Sequence, residues 1–314
     1  MKLRKVLVVH KKSTYQIQAE EHKEARFLKL LEEGSEVVNR VKIAHEEHVE
    51  TLNSIHNELD KRGIEYQSLW RSQVESVVEG VDLVISVGGD GTFLDASHAV
   101  FDLPMLGVNS SGSSSFGHFC LAKKDSFARA LDDIEEGRIN PLEILRLEVS
   151  INGEPVRELV LNEVLIAHSN PAATSRYIIE VGDMKEEQRS SGLWIGTPAG
   201  STGSLRSAGG VVMPIDDHQY QYFVREPCQR PGQNWQLLMG LVSGATDTRI
   251  TSEMRTGEIY IDGPHIIYPL TFGDQLTLKR SKHSLIAYID KDVNKIFSPH
   301  AHQNPQGTSL TGKH

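Results

Sequence analysis

The chain has 314 residues, with 33 Lys and Arg against 42 Asp and Glu and a formal net charge of −9. That length suits one large domain or two ordinary ones, and a composition of 39% hydrophobic and 24% charged residues excludes wholesale disorder. The acidic balance excludes a broad duplex-binding face, which needs positive charge to displace counterions, but leaves room for a small anion site.

Two further exclusions concern context. Cys120 and Cys228 show no CxxC pairing, so neither a disulfide framework nor a zinc site is expected. Apolar runs stay well short of the roughly 20 residues that span a bilayer. The run Val6 to Val9 is too short for a signal peptide. A cytoplasmic protein without membrane or nucleic-acid partners is expected.

In chain order, Val6 to Val9 reads as a strand. From Gln16 to Arg62 apolar residues recur at helical spacing until Gly63 caps the stretch. Ile64 to Trp70 reads as a strand, Val74 to Glu79 as a short helix, and Leu83 to Val87 as a buried strand. A helix over Thr92 to Phe101, a strand over Met105 to Val108 and a helix over Lys124 to Arg138 follow. Such alternation predicts parallel strands with crossover helices, an open Rossmann-like α/β sheet. After Pro141 the segments turn strand-like: Leu145 to Ile151, an Asn152-Gly153 hairpin turn, Val156 to Ile166 and Tyr177 to Val181. One helix starts near Ser201. Strands at Tyr220 to Val224, Glu258 to Ile261, Gln275 to Arg280 and Leu285 to Ile289 complete the series. The expectation is an α/β domain over 1–140, a mostly-β domain over 141–297 with a cleft between them, and a polar, disordered tail over 298–314.

The sharpest motif is Gly88-Gly89-Asp90-Gly91-Thr92-Phe93, where a strand empties into glycines and a helix begins. Glycines let a backbone approach phosphates, and a helix N-terminus favours anions. A carboxylate there is useful if it accepts a proton from an attacking hydroxyl or meets Mg²⁺. The plainer alternative is that Asp90 only caps the next helix. Other features read as structural. His45-Glu46-Glu47-His48 lacks the HExxH spacing and reads as a solvated helix face. Ser110 to Ser115 reads as a mobile loop lining the cleft, and Cys120 as a buried thiol.

The turn resembles that of the NAD kinases, which share GGDGT with diacylglycerol and sphingosine kinases and phosphofructokinases. In the lipid kinases Asn-Glu follows the turn at once; here Asn162-Glu163 comes much later, as in NAD kinases. A third segment, Thr197-Pro198-Ala199-Gly200-Ser201-Thr202-Gly203, is similar to the family's Thr-Pro-x-Gly-Ser-Thr. Lys11 and Tyr15, Gly107-Val108-Asn109, Cys120-Leu121 and Arg225-Glu226-Pro227 look like the mitochondrial-type branch. The chain departs from the bacterial pattern at Gly117-His118-Phe119, at Ser190-Ser191-Gly192 and at Gly203-Ser204.

The resemblance implies a two-domain kinase fold that phosphorylates the adenosine-ribose 2′-hydroxyl of NAD, with ATP and Mg²⁺. It implies Asp90 as base, and an acceptor site drawn from Gly88, Gly89, Gly91, Thr92, Phe93, His118, Asn162, Glu163, Ser191, Thr202 and Gly203. Lys11 and Arg206 are candidate contacts to the donor phosphates, and no residue stands out as a direct metal ligand. A homodimer or higher homo-oligomer is implied, because family members complete the dinucleotide site across an interface. The alternatives are a diacylglycerol-type lipid kinase and a non-catalytic NAD(P) sensor.

Overall fold

In β1 (Lys5–His10) apolar residues alternate between two faces: Val6 and Val8 pack with Ile55 and Leu59, Leu7 and Val9 with Phe93 and Leu94. A period of two with both faces apolar makes a strand covered on both sides. The computed structural model describes residues 2–74, 76–228, 232 and 234–297. The polar stretch after β1 is helical as expected but in three pieces: a π-helical turn over Gln16–Glu21, α1 (Ala25–Glu32) and α2 (Glu36–Arg62). Gly34 and Gly63, at φ 69° and 66°, end α1 and α2 respectively.

β2 (Glu65–Trp70) and β3 (Leu83–Gly88) pair with β1 on opposite sides, both parallel, and β4 (Met105–Asn109) continues beyond β3. The strand order reverses between β1 and β3, the place where open α/β sheets leave a crevice at the carboxyl ends of their strands. Lys11 and the glycine turn leave the sheet there, since His10 pairs with Val87 and Gly88 with Asn109. α3 (Asp90–Ser97) packs on one face; α2 and α4 (Phe127–Glu135) pack on the other. No helix forms at Val74 to Glu79 among the described residues; Glu75 lies outside them. Val74 and Val78 reach the core without one, and Val78 N–H donates to Ala99 O at 2.8 Å.

β5 (Cys120–Lys123) pairs with the end of β4, while β6 (Leu142–Ile144) sits at the edge of the same sheet. The chain then builds a sandwich. β7 (Leu147–Ile151) and β8 (Glu154–Pro155) turn at Asn152-Gly153, whose φ values of 53° and 88° suit a tight hairpin. With β10 (Ser175–Val181), β11 (Met184–Ser190), β15 (Thr248–Ser252) and β18 (Gln275–Arg280) they form one sheet. The facing sheet holds β9 (Glu163–His168), β12 (Gly192–Gly196), β13 (Tyr220–Arg225), β14 (Met239–Val242), β16 (Gly257–Ile261) and β17 (Ile266–Leu270). Val149, Tyr177, Ile250 and Leu278 interdigitate with Val164, Ile195, Tyr220 and Ile259 between them. Residues 156–162 cross from one sheet to the other, so the long strand expected there is confined to β9.

β19 (Leu285–Tyr288) then returns to the first sheet, parallel to β4 and antiparallel to β6. The segment expected as 141–297 therefore gives two of its strands to the N-terminal sheet. The tail from Ser298 lies outside the described residues. Among the described residues no helix is long and apolar enough to cross a membrane.

Candidate functional site

The glycine turn is set by close contacts. A Cβ on Gly88 would run into Thr92, and one on Gly89 into the Ser115 hydroxyl; one on Gly91 would meet open space. Gly89, not Asp90, is the N-cap of α3, and it offers no side-chain cap. The Asp90 carboxylate instead accepts the Phe119 N–H at 2.9 Å. The capping alternative for Asp90 is thereby removed. Thr92 is buried beneath the turn, and Phe93 is wholly buried and stacked on Phe119 at 5.3 Å. Phe93 packs into the core that α3 shares with the first sheet, while Thr92 lies directly under Gly88.

His118 lies beside this turn, 8% exposed, with its ring 5.8 Å from Phe297 and 6.4 Å from Phe116. Neither ring nitrogen has a hydrogen-bond partner. Burial lowers its pKa, against the pull of the Asp90 carboxylate and of Asn294.

Asn162 and Glu163 open β9, on the crossing segment that enters the second sandwich sheet. Asn162 Oδ1 and Glu163 Oε2 are buried without partners. Burial, reinforced by nearby Asp262, pushes the Glu163 carboxyl up to about 8. Gly200 presses against Asn162, where a Cβ would lie 2.8 Å from its Cα, and Thr197 N–H donates to Asn162 O at 2.9 Å. These contacts join the second motif to the third. Ala199–Thr202 forms one 3₁₀ turn before α5 (Ser204–Ala208), whose N-cap is Gly203; Thr202 does not cap the helix. Arg206 is exposed, its guanidinium 5.1 Å from the Phe297 ring.

The first motif meets the other two through shared packing. Phe93, Leu94, Leu161 and Ala199 belong to one core cluster. Asn294 Nδ2 donates to Pro198 O at 3.0 Å and Met213 O at 2.7 Å, on the short 3₁₀ turn Val293–Phe297 that carries Phe297 to His118. His98, just past α3, faces Asp262 at 3.5 Å. Asp262, His98, Asn294 and Phe297 were not found from sequence. Only the Asp262-Gly263 turn dipeptide offered a signal, with φ values of 50° and 117°.

Lys11 stands across the crevice. Burial, with Arg71 nearby, lowers its pKa. The serine loop expected to be mobile is tethered to α2: Glu47 accepts the Ser111 hydroxyl at 2.6 Å and the Ser113 hydroxyl at 2.8 Å. His48 is buried between Ser110 Oγ, at 2.8 Å, and Lys11 O, at 3.1 Å. Burial and Lys11 pull the His48 ring down to about 4. The reading of His45 to His48 as a solvated face is thus corrected in part: Glu46 is exposed, but Glu47 and His48 hold the loop in place and His45 meets the Ser13 hydroxyl.

Ser191 does not join this group within one chain. β9 and β12 run antiparallel, with Gly196 opposite Glu163 and Leu193 opposite Ile166. Five residue steps of ~3.4 Å put Ser191 about 17 Å from Gly196. It lines a separate cavity of about 320 Å³ with His168, Arg225 and Tyr260.

Residues 6–139 match the family model described as the ATP-NAD kinase N-terminal domain. A probable NADH kinase of Oryza sativa subsp. japonica is 36% identical over 270 residues, covering 79% of this chain and 83% of the relative. The NADH kinase of Arabidopsis thaliana is 31% identical over 266 residues, covering 76% and 83%. Among solved structures, an Archaeoglobus fulgidus NAD kinase in complex with ATP superposes with TM-score 0.66 at 19% identity, covering 93% of this chain and 96% of that one. Yeast NADH kinase complexed with NADH gives TM-score 0.67 at 14% identity, covering 99% and 90%, which speaks for the fold. A GGDGT turn at the sheet's switch point, an Asn-Glu pair packed on a Thr-Pro-x-Gly-Ser-Thr turn and relatives of this identity and coverage have one reading: the chain belongs to the NAD kinase family.

Proposed function

We propose that the protein transfers the γ-phosphoryl group of ATP to the 2′-hydroxyl of the adenosine ribose of NAD, forming NADP, with Asp90 as the base. The carrying observation is the Asp90 carboxylate at the mouth of the glycine turn, bonded to Phe119 N–H and free of any capping duty. Its bond to Phe119 fixes one oxygen and leaves the other to take the hydroxyl proton. Gly88, Gly89 and Gly91 let phosphates approach the backbone. Asn162 Oδ1 and Glu163 Oε2, buried and unpartnered, suit an adenosine's amine and hydroxyl donors. Mg²⁺ carried on the donor phosphates would offset their charge, and Lys11 and Arg206 are the cationic side chains proposed to meet those phosphates. The lipid-kinase alternative does not survive family membership; the sensor reading gives way to the intact Asp90. Phosphorylation of NAD by the purified protein, assayed with and without ATP, is the direct test, and no NADP with ATP present would sink the proposal.

Glu163 supplies a sharper check. Its carboxyl, raised to about 8, is disfavoured in ionised form by the fold. Stability of the free protein should therefore decline as pH rises from the ordinary carboxylate range through 8. Ribose hydroxyls donate to the ionised form, so NAD affinity should move the opposite way, rising about tenfold between pH 6.5 and 8.5, with proton release on binding. At pH 8.5, where the carboxyl is ionised, Glu163→Gln should weaken NAD binding by about tenfold, since charge-assisted bonds are worth ~1.5–3 kcal/mol, and it should flatten the pH profile. Calorimetry across that range is the measurement. A wild-type profile in the variant would return Asn162-Glu163 to a structural role.

We also propose that the protein works as at least a homodimer. The separation of Ser191 from Glu163 along β12 supports this, because both are candidates for one dinucleotide site. Ser191→Asp should then raise or lower the KM for NAD severalfold with little change in kcat, in a species that sediments as a dimer. A monomer whose Ser191→Asp variant behaves as wild type would exclude the arrangement.

A further inference from the structure

Asp262 lies outside all three motifs. It follows β16 at φ 50°, and its side chain is completely buried. Oδ1 accepts N–H bonds from Asn162 at 2.7 Å and Glu163 at 3.0 Å, and Oδ2 accepts from Leu161 at 2.8 Å. Successive amides of a regular strand point to opposite sides, so three consecutive donors on one carboxylate mean the backbone is wrapped around it. The wrap falls at the two residues whose side-chain oxygens are left buried and unpartnered. Oδ2 also faces His98 Nε2 at 3.5 Å, at the far end of the helix that begins with Asp90. Asp262 thus bonds the Leu161–Glu163 backbone directly and lies against His98, whose ring nitrogens make no hydrogen bond, at the end of α3.

We propose that Asp262 is a positioning residue for the acceptor site: it shapes the Leu161–Glu163 backbone so that the Asn162 and Glu163 side chains meet the adenosine of the acceptor dinucleotide. This rests on the function proposed above. A mere anchor of the sandwich would make the same three bonds, so the discriminating quantity is the coupling between Asp262 and Glu163. In Asp262→Asn, Oδ1 can still accept from Asn162 and Glu163, while the amide presents donors where Leu161 N–H needs an acceptor.

The experiment measures NAD dissociation constants, KM for both substrates and melting temperature for the full chain carrying Asp262→Asn, Glu163→Gln, and both together. Asp262→Asn is expected to weaken NAD binding by about tenfold and to leave the KM for ATP within about twofold. The double variant is expected to bind NAD less weakly than the product of the two single losses, because Asp262→Asn already removes part of the Glu163 contact while its effect through Asn162 remains. Wild-type NAD affinity in Asp262→Asn, or additive losses in the double variant, would overturn the proposal whatever the melting temperature. If Asp262→Asn does not fold, His98→Leu carries the same cycle: a loss of about threefold that vanishes in the Glu163→Gln background supports it, and no loss overturns it. Glu163→Gln with normal NAD affinity would instead sink the acceptor-site reading itself, a separate outcome.

Discussion

Asp90→Asn is expected to lower turnover by about 10²–10⁴-fold, the usual contribution of a positioned base, while NAD binding stays near wild type. The substitution is unusually clean here. Asn Oδ1 can still accept the Phe119 N–H that Asp90 takes at 2.9 Å, and Gly89 remains the N-cap of α3. Stability should change little, because neither bond nor cap is removed. Three measurements on this one variant separate the possible roles: turnover, NAD affinity, and the dependence on magnesium concentration. Lost turnover with intact binding and no magnesium rescue identifies a base. Partial recovery at raised magnesium would make Asp90 chiefly a partner of the ion on the donor. Activity within a few-fold of wild type would take Asp90 out of the chemistry.

Arg146→Met should produce the largest loss of stability. Arg146 is wholly buried, and it donates only to main-chain carbonyls: Nε to His283 O at 2.9 Å, Nη1 to Ser97 O at 3.1 Å and Val100 O at 2.8 Å, with Phe101 O and Ser284 O at 3.5 Å from Nη2. Burial pulls its pKa down to about 10, which keeps it charged at pH 7. The Ser97 carbonyl belongs to the last residue of α3, where a cation meets the negative end of the helix dipole, and that of Val100 to the turn just beyond it. Met fills similar volume but leaves the Val100 and His283 carbonyls without the donor they have here, while Ser97 O keeps the Val100 N–H at 3.1 Å, at a cost of about 3–5 kcal/mol. For a protein of this size the melting temperature should fall by roughly 10 °C. Arg146→Lys, with fewer directed donors, should recover only part of it. A melting temperature within about 2 °C of wild type for Arg146→Met would show the carbonyls to be otherwise satisfied.

Arg146 also explains a boundary that periodicity misplaces. The apolar pattern carries a helix on to Phe101, but α3 ends at Ser97 because the guanidinium gathers the carbonyls beyond it. A residue 45 or more positions away leaves no trace in a local pattern. The serine loop is similar: composition reads as mobile, whereas Glu47 and His48 from α2 pin it beside the glycine turn.

Local chemistry was enough for much else. Alternation in Val6 to Val9, the glycines of the turn, the Asn152-Gly153 hairpin and the cap at Gly63 are all fixed by steric rules acting within a few residues. Motif order along the chain carried the family, and with it Asp90, Asn162 and Glu163 as candidates. Tertiary structure alone decided how deeply the motif's side chains are buried: Phe93 shares the motif and the helix face of Asp90, yet packing against Phe119 buries it wholly. It alone returned β19 to the first sheet, set Ser191 about five strand residues from the Asn162-Glu163 pair, and placed Asp262 against the backbone of both. Each of these depends on pairings between residues tens to hundreds of positions apart, and such pairings are chosen by burial and hydrogen-bond satisfaction across the whole core, which no local stretch of sequence encodes.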